Sequence, residues 1–451
     1  MSRLVNHPVW LCLLGLAAAS PAAIIGTNPP AQPLTSDRVA GLPVAEQPAW
    51  KVYLRNSNQQ LIADQAQLNA EALEHGFTNF TVPPEGRGVA GIPLQKERDW
   101  YAGTEAARLA DNIVSYQTPA GGWSKNLDIT KHPRAPGERF GHGNASHFAA
   151  TADFDTPLNV DWNYVGTFDN DATITQLRFL ARVITAGNVG PKGKYRAAFM
   201  RGLEYIFAAQ YPNGGWPQVW PLQGGYHDGV TFNDDAMTNI LELLADIADG
   251  KPGFAFVPAG TRAKARASLD RGISCVLAAQ IGVNGRRTVW CQQYDPLTLK
   301  PASARNYEMP SAASSESAEI MLFLMSLPKP SAEVVAAVYA AADWFTSTRI
   351  LHASYRRNDG DPRLVEDASA SPLWSRYYQI GTDRPIFGDR DKTIHDKVEE
   401  ISLERRRGYG WYRDSGARAL EAYADWAKEH PRGGQRPVKA SPPAKTAAGS
   451  S

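Results

Sequence analysis

The chain has 451 residues, 43% of them hydrophobic and 21% charged, enough for a sizeable core in one large domain or two to three smaller ones. Its 47 Lys and Arg nearly cancel its 46 Asp and Glu. No global field therefore favours nucleic acid or an anionic membrane, and a polyanionic partner would need a local basic cleft.

Arg3 and His7 precede an apolar run from Val9 to Ala19, and Ser20, Pro21, Ala22 and Ala23 resemble a cleavage region. Residues 1–26 thus read as an export signal, too short to stay in a bilayer, and Cys12 leaves with it. No later segment is apolar for long enough to cross a membrane. The expected product is a secreted or periplasmic monomer with no membrane contact after signal removal. Residues 27–45 are rich in Pro, Ala, Ser and Thr, lack periodicity and read as a linker. The body, 46–430, carries apolar residues at helical spacing over 100–116, 173–186, 194–210, 235–248, 262–280, 317–327, 331–346 and 417–429. β-branched alternation is scarce, so the structure should be mostly α. Residues 431–451, rich in Pro, Lys, Ala, Gly and Ser, read as a disordered tail.

The chain repeats itself. Gln117-Thr-Pro-Ala-Gly121-Gly-Trp123 matches Gln210-Tyr-Pro-Asn-Gly214-Gly-Trp216, and Arg201-Gly202 with the seven residues leading to Gln210 matches Arg271-Gly272 with the seven leading to Gln280. A Trp-bearing loop follows each helix-ending Gln (Trp123, Trp216, Trp290), and a second helix follows each loop. Three such helix–loop–helix units describe an all-α, α/α toroid with its loops on one end and few short strands.

Each second helix opens on an acidic turn: Thr167-Phe-Asp169-Asn170-Asp171, Thr231-Phe-Asn233-Asp234-Asp235 and, more weakly, Ser314-Ser-Glu316. Asp, Asn and Thr at a helix start are ordinary N-caps. Two matching turns carry more carboxylate than capping needs, and carboxylates gathered at one toroid mouth suit a hard cation such as Ca²⁺. A separate basic set comprises Lys125 beside the first Gly-Gly-Trp loop, Arg305, Arg376, Arg384 and Arg390. Arg376 lies among Trp374, Tyr377 and Tyr378, which on its own suggests cation–π packing. Guanidinium forks also match sugar carboxylates. Trp123 and its counterparts could stack on sugar faces or pack helix ends. Cys275 and Cys291 leave a disulfide and two buried thiols equally open, and the absence of His at ligand spacing argues against zinc.

Seven segments in order resemble family ten of the pectate lyases: GGWSKN (121–126), TFDNDATITQLRFLA (167–181), GGWPQ (214–218), YHDGVTFNDDAMTNIL (226–241), VWCQQYDPLTLKPASARNYEMPS (289–311), SRYYQIGTDRPIFGDRD (375–391) and ERRRGYGWY (404–412). The resemblance implies a toroid of three α/α hairpins and calcium-assisted β-elimination on polygalacturonate. It places Asp169 and the Asp234–Asp235 pair at calcium and substrate positions, and Arg376 at the Brønsted base. By the same resemblance Lys125 and Arg390 match substrate-carboxylate contacts, and the reading of the residues themselves adds Arg305, Trp123 and Asp171 as substrate-binding candidates. Asp171 and Ser124 depart from the family pattern, which has Gly and Pro there. An arginine base implies an alkaline optimum. Three other classes compete: an inverting glycoside hydrolase using Asp169 and Asp235, a non-catalytic acidic-polysaccharide binding protein, and a helical-toroid terpene cyclase, for which the chain lacks an Asp-x-Asp-Asp run.

Overall fold

The computed structural model describes residues 23–143, 152–357 and 360–432. All but the end of the expected export signal, and nearly all of the expected tail, fall outside them.

Twelve α-helices occur among the described residues: α1 (Ser36–Ala40), α2 (Gln47–Glu74), α3 (Arg98–Ala102), α4 (Thr104–Ser115), α5 (Ile174–Thr185), α6 (Lys194–Ala209), α7 (Ala236–Ala248), α8 (Ala259–Ala279), α9 (Ser314–Ser326), α10 (Ala332–Thr348), α11 (Leu403–Gly408) and α12 (Ser415–Glu429). Each expected helix is present within a few residues of its predicted ends. The 100–116 span breaks at Gly103 into α3 and α4. α5 packs on α6, α7 on α8, and α9 on α10, while α5 touches α7 and α7 touches α9. α7 buries Ala236, Met237, Ile240, Leu241, Leu243, Leu244 and Ile247, apolar on almost every side, as an inner helix must be. α8 buries a single stripe and belongs to the outer layer. The fold is an α/α toroid.

The sequence repeats are structural staples. Gln117, Gln210 and Gln280 each use Nε2 to bond one loop carbonyl and one carbonyl of the next outer helix: Gly121 and Ala198, Gly214 and Ser268, Thr288 and Ala337, all at 2.8–3.0 Å. The indoles of Trp123, Trp216 and Trp290 donate to Ile113, Ile206 and Val276 at 2.7–2.9 Å, satisfying carbonyls near helix ends that have no partner in their own helix. Gly202 and Gly272 make room for these rings. A Cβ on Gly272 would lie 2.5 Å from Leu241 Cδ2 and 2.9 Å from the Trp216 ring.

Two-residue antiparallel ladders tie the loops at the active end. Val230–Thr231 pairs with Gln293–Tyr294, and Ala312–Ala313 with Tyr377–Tyr378. Residues 27–45 differ from the linker expectation. Ile24–Thr27 pairs with Thr393–His395, and buried Asn28 bonds the carbonyls of Arg305 and Asn306. Cys275 and Cys291 are both free and buried. No helix among the described residues is long and apolar enough to cross a membrane.

Candidate active site

The acidic turns share an unusual backbone. Asn170 (φ 51°) and Asp171 (φ 59°) in the first, and Asp234 (φ 48°) and Asp235 (φ 59°) in the second, are consecutive left-handed residues. Asn and Asp tolerate that region better than other side chains, but it still costs energy that packing must offset. The turns touch each other. Neither supplies a side-chain cap to its helix, although Asp235 holds the N-cap position of α7. Capping therefore does not account for these carboxylates.

A cavity of about 80 Å³ opens between the turns. Lys125, Tyr164, Asp169, Gln218, Asn233, Asp234, Arg305 and Glu308 are on its wall. Lys125 Nζ sits 3.6 Å from the centre of the Tyr164 ring and pairs with Asp169 Oδ2. Burial works to raise the Asp169 carboxyl, but Lys125 outweighs it and holds it below the usual range, so this carboxylate is ionised. Asp234 behaves oppositely: burial, then repulsion from Asp169, pushes it up to about 6. Asp171, Asp234 and Asp235 border a second, open depression with Arg87. Asp234 is thus the wall between the two. Burial followed by Glu319 and Glu316 pushes Asp235 up to about 7, and burial raises Asp171 although Asn239 donates to it at 2.6 Å.

Among the described residues no group of three or more His, Cys, Asp or Glu could hold a metal. The cavity nevertheless offers oxygen donors of the right kind. Besides Asp169 and Asp234 it has Gln218, whose Nε2 donates to Asp169 Oδ1 at 2.9 Å while its buried Oε1 has no partner. Two carboxylates and an orphaned amide oxygen fit a partly hydrated Ca²⁺, which accepts irregular oxygen sets.

Arg305 reaches the cavity with a third of its side chain exposed (33%) and is held from behind by Glu308, Nε to Oε2 at 2.8 Å. Burial would raise the Glu308 carboxyl, but Arg305 and the Tyr409 hydroxyl bring it down to about 2. Arg376 does not line the cavity. Its side chain is 9% exposed, pairs with Glu316 at 2.6 Å, bonds Asn233 Oδ1 at 3.2 Å and lies 4.8 Å from the Tyr409 ring centre. Burial opposes both guanidinium charges, yet Glu308 and Glu316 hold both above the usual arginine range.

Residues 117–420, more than half of the chain, match the family model for pectic acid lyase. The chain belongs to the pectic acid lyase family. The family 10 polysaccharide lyase from Cellvibrio cellulosa is 32% identical, with a TM-score of 0.61 over 76% of this pectate lyase and 98% of that structure. An Asp-to-Ala mutant of the same enzyme in complex with trigalacturonic acid gives the same identity and TM-score, over 99% of its chain. No curated protein matches. The hydrolase, binding-module and cyclase alternatives fall with these findings: the protein is a β-eliminating polysaccharide lyase.

The pectate lyase brings together Lys125, Asp169, Asp234 and Arg305 from four separate segments. Trp123 needs correction. It is fully buried in the first staple and cannot stack on a sugar. Arg390 pairs with Glu404 at 3.2 Å and lies 5.2 Å from the Tyr307 ring centre, away from the cavity lining. Arg384 is a surface residue facing Asp396. Asp171 and Asp235 face the outer depression rather than the cavity. Sequence reasoning missed Tyr164, Gln218, Glu308 and the Arg376 partner Glu316. Glu308 lies three residues from Arg305 in the same motif, and Glu316 is the carboxylate of the third, weaker turn, so both signals were present.

Proposed function

We propose that the enzyme is exported and cleaves polygalacturonate by calcium-assisted β-elimination, leaving 4,5-unsaturated oligogalacturonides. The observation that carries this is the single cavity where Lys125 and Arg305 stand beside Asp169 and Asp234. Trigalacturonic acid in the related Cellvibrio complex supports the substrate, and residues 1–26 support export.

The C5 proton of galacturonate is α to a carboxylate, and removing it puts more charge on an anionic group. Lys125 would bind that carboxylate and oppose the build-up. Asp169, Asp234 and Gln218 would hold calcium, which when bound neutralises the same carboxylate. A neutral guanidine then takes the C5 proton as the C4–O bond breaks.

The resemblance assigns the base to Arg376. Position favours Arg305: it is on the cavity wall, whereas Arg376 lies behind Asn233 and Glu316. In this reading Arg376 fixes Asn233 and the second acidic turn. Either guanidinium is held protonated by its glutamate, so activity rises into the alkaline range. The test follows conjugated double bonds formed from polygalacturonate, with and without a chelator, for wild type, Arg305→Lys and Arg376→Lys. Calcium-reversible loss on chelation supports the reading. Turnover untouched by chelator sinks the calcium role, and near-wild-type kcat in Arg305→Lys returns the base to Arg376.

A further inference from the structure

Next to the charged cavity lies a groove of a different kind, about 300 Å³ in volume, at the lower end of the range of small-molecule sites. Leu61 and Gln65 of α2, Leu158, Trp162, Leu222 and His227 are on its wall, and none of its described lining residues carries a formal charge apart from the titratable His227. The two sites share a partition of rings. His227 stacks on Tyr226 with centroids 4.2 Å apart and meets Tyr164 edge-on at 4.6 Å, and both tyrosines face the charged cavity.

The groove is built to take polar atoms as well as apolar ones. His227 is 5% exposed and Trp162 is 3% exposed, yet His227 Nε2 and Trp162 Nε1 have no hydrogen-bond partner among the described residues. Buried polar groups without partners are uncommon and call for an explanation. A free galacturonate carboxylate entering here would lose its water and meet no cation, which is unfavourable. An ester carbonyl has no such penalty: it can accept from Trp162 Nε1–H, a sugar hydroxyl can bond His227 Nε2, and the methyl can lie against the leucines.

We propose that this groove binds a methyl-esterified galacturonate unit of the chain whose free-acid unit occupies the charged cavity. The inference rests on the polygalacturonate reading above. It makes the enzyme selective for partly esterified polymer: charge is required at the cleaved bond, and its absence is preferred a short distance away.

The test compares kcat/KM on partly methyl-esterified and on fully de-esterified polygalacturonate. The wild-type ratio of the two is expected at or above about one. Gln65→Lys and Leu158→Arg, the latter at a position 85% exposed and so harmless to the fold, place a cation in the groove. Each is expected to lower the ratio about tenfold, the effect of a 1.4 kcal/mol preference, while Gln65→Met keeps it. Calorimetric titration of chelator-treated protein with methyl-esterified trigalacturonate separates this claim from catalysis. Binding that Leu158→Arg abolishes upholds the groove even without turnover. A ratio unchanged within twofold in both cationic variants, or no ester-dependent binding, overturns it.

Discussion

Replacing Glu316 by Gln removes the charge opposite Arg376 and little else. The pair is 2.6 Å apart, with side chains 2% and 9% exposed, so solvent screens neither partner. No other carboxylate among the described residues pairs with Arg376, whose remaining contacts are Asn233 and the rings of Tyr377 and Tyr409. Removing one partner of such a pair costs about 3–5 kcal/mol, because the other charge stays buried. Gln keeps an oxygen that can accept from Arg376, so the expected loss is at the lower end, about 3 kcal/mol. Urea unfolding measures it as a lower midpoint with an unchanged slope. A loss under about 1 kcal/mol refutes the idea that Glu316 holds the guanidinium in place. The same variant reports on the base. A glutamate raises the pKa of its arginine, so deleting that charge lowers it and enlarges the neutral fraction at any given pH. If Arg376 were the base, the rising limb of the pH–rate profile would move to lower pH in Glu316→Gln. With Arg305 as base the limb stays, and Glu308→Gln moves it instead.

Asp234→Ala is expected to weaken calcium binding at least tenfold by titration, whereas Asp235→Ala has a smaller effect, because only Asp234 shares the cavity with Asp169. Equal losses would mean the ion sits over the outer depression. Asp228 is buried, and desolvation pushes its carboxyl up to about 7. The folded state therefore holds this proton while the unfolded chain releases it near pH 4, and stability declines as pH rises from about 4 to 7, by at most about 4 kcal/mol. Asp228→Asn keeps an acceptor for the Gly224 N–H and should flatten that slope in urea unfolding at pH 5 and 8; an unaltered slope rejects the assignment. Trp216→Phe leaves the Ile206 carbonyl without its donor and should cost about 1–3 kcal/mol with kcat unchanged, and a lowered kcat would show that the staples reach the chemistry.

Most helices were legible because their inward faces are apolar. α2 was not, since its inward positions run Trp50, Tyr53, Ser57, Asp64, Leu68 and Ala72. Ser57 accepts from the Leu222 N–H at 2.8 Å, and Asp64 is a buried carboxyl pushed up to about 6 by desolvation. Polar anchors in place of apolar ones erase the periodicity on which a helix assignment depends. Residues 27–45 were misread for a related reason: Asn28 is held by hydrogen bonds to residues more than 270 positions away. The acidic turns were readable because they repeat. Their division between two hollows was not, since it depends on backbone conformation at four residues. Trp123 misled because a loop tryptophan near Gly-Gly looks the same in sequence whether it caps a helix or receives a sugar.

The Gln–Trp staples fasten each hairpin at the root of its loop, upstream of Lys125, Asp169, Asp234 and Arg305. Rigidity and chemistry are therefore carried by different stretches of the same connection. Segments beyond the staple, such as the exposed turn around Leu158, can change length or charge without loosening the ring of helices. Repertoires of loops displayed on this unaltered frame would be a direct way to obtain lyases for pectins of differing ester content.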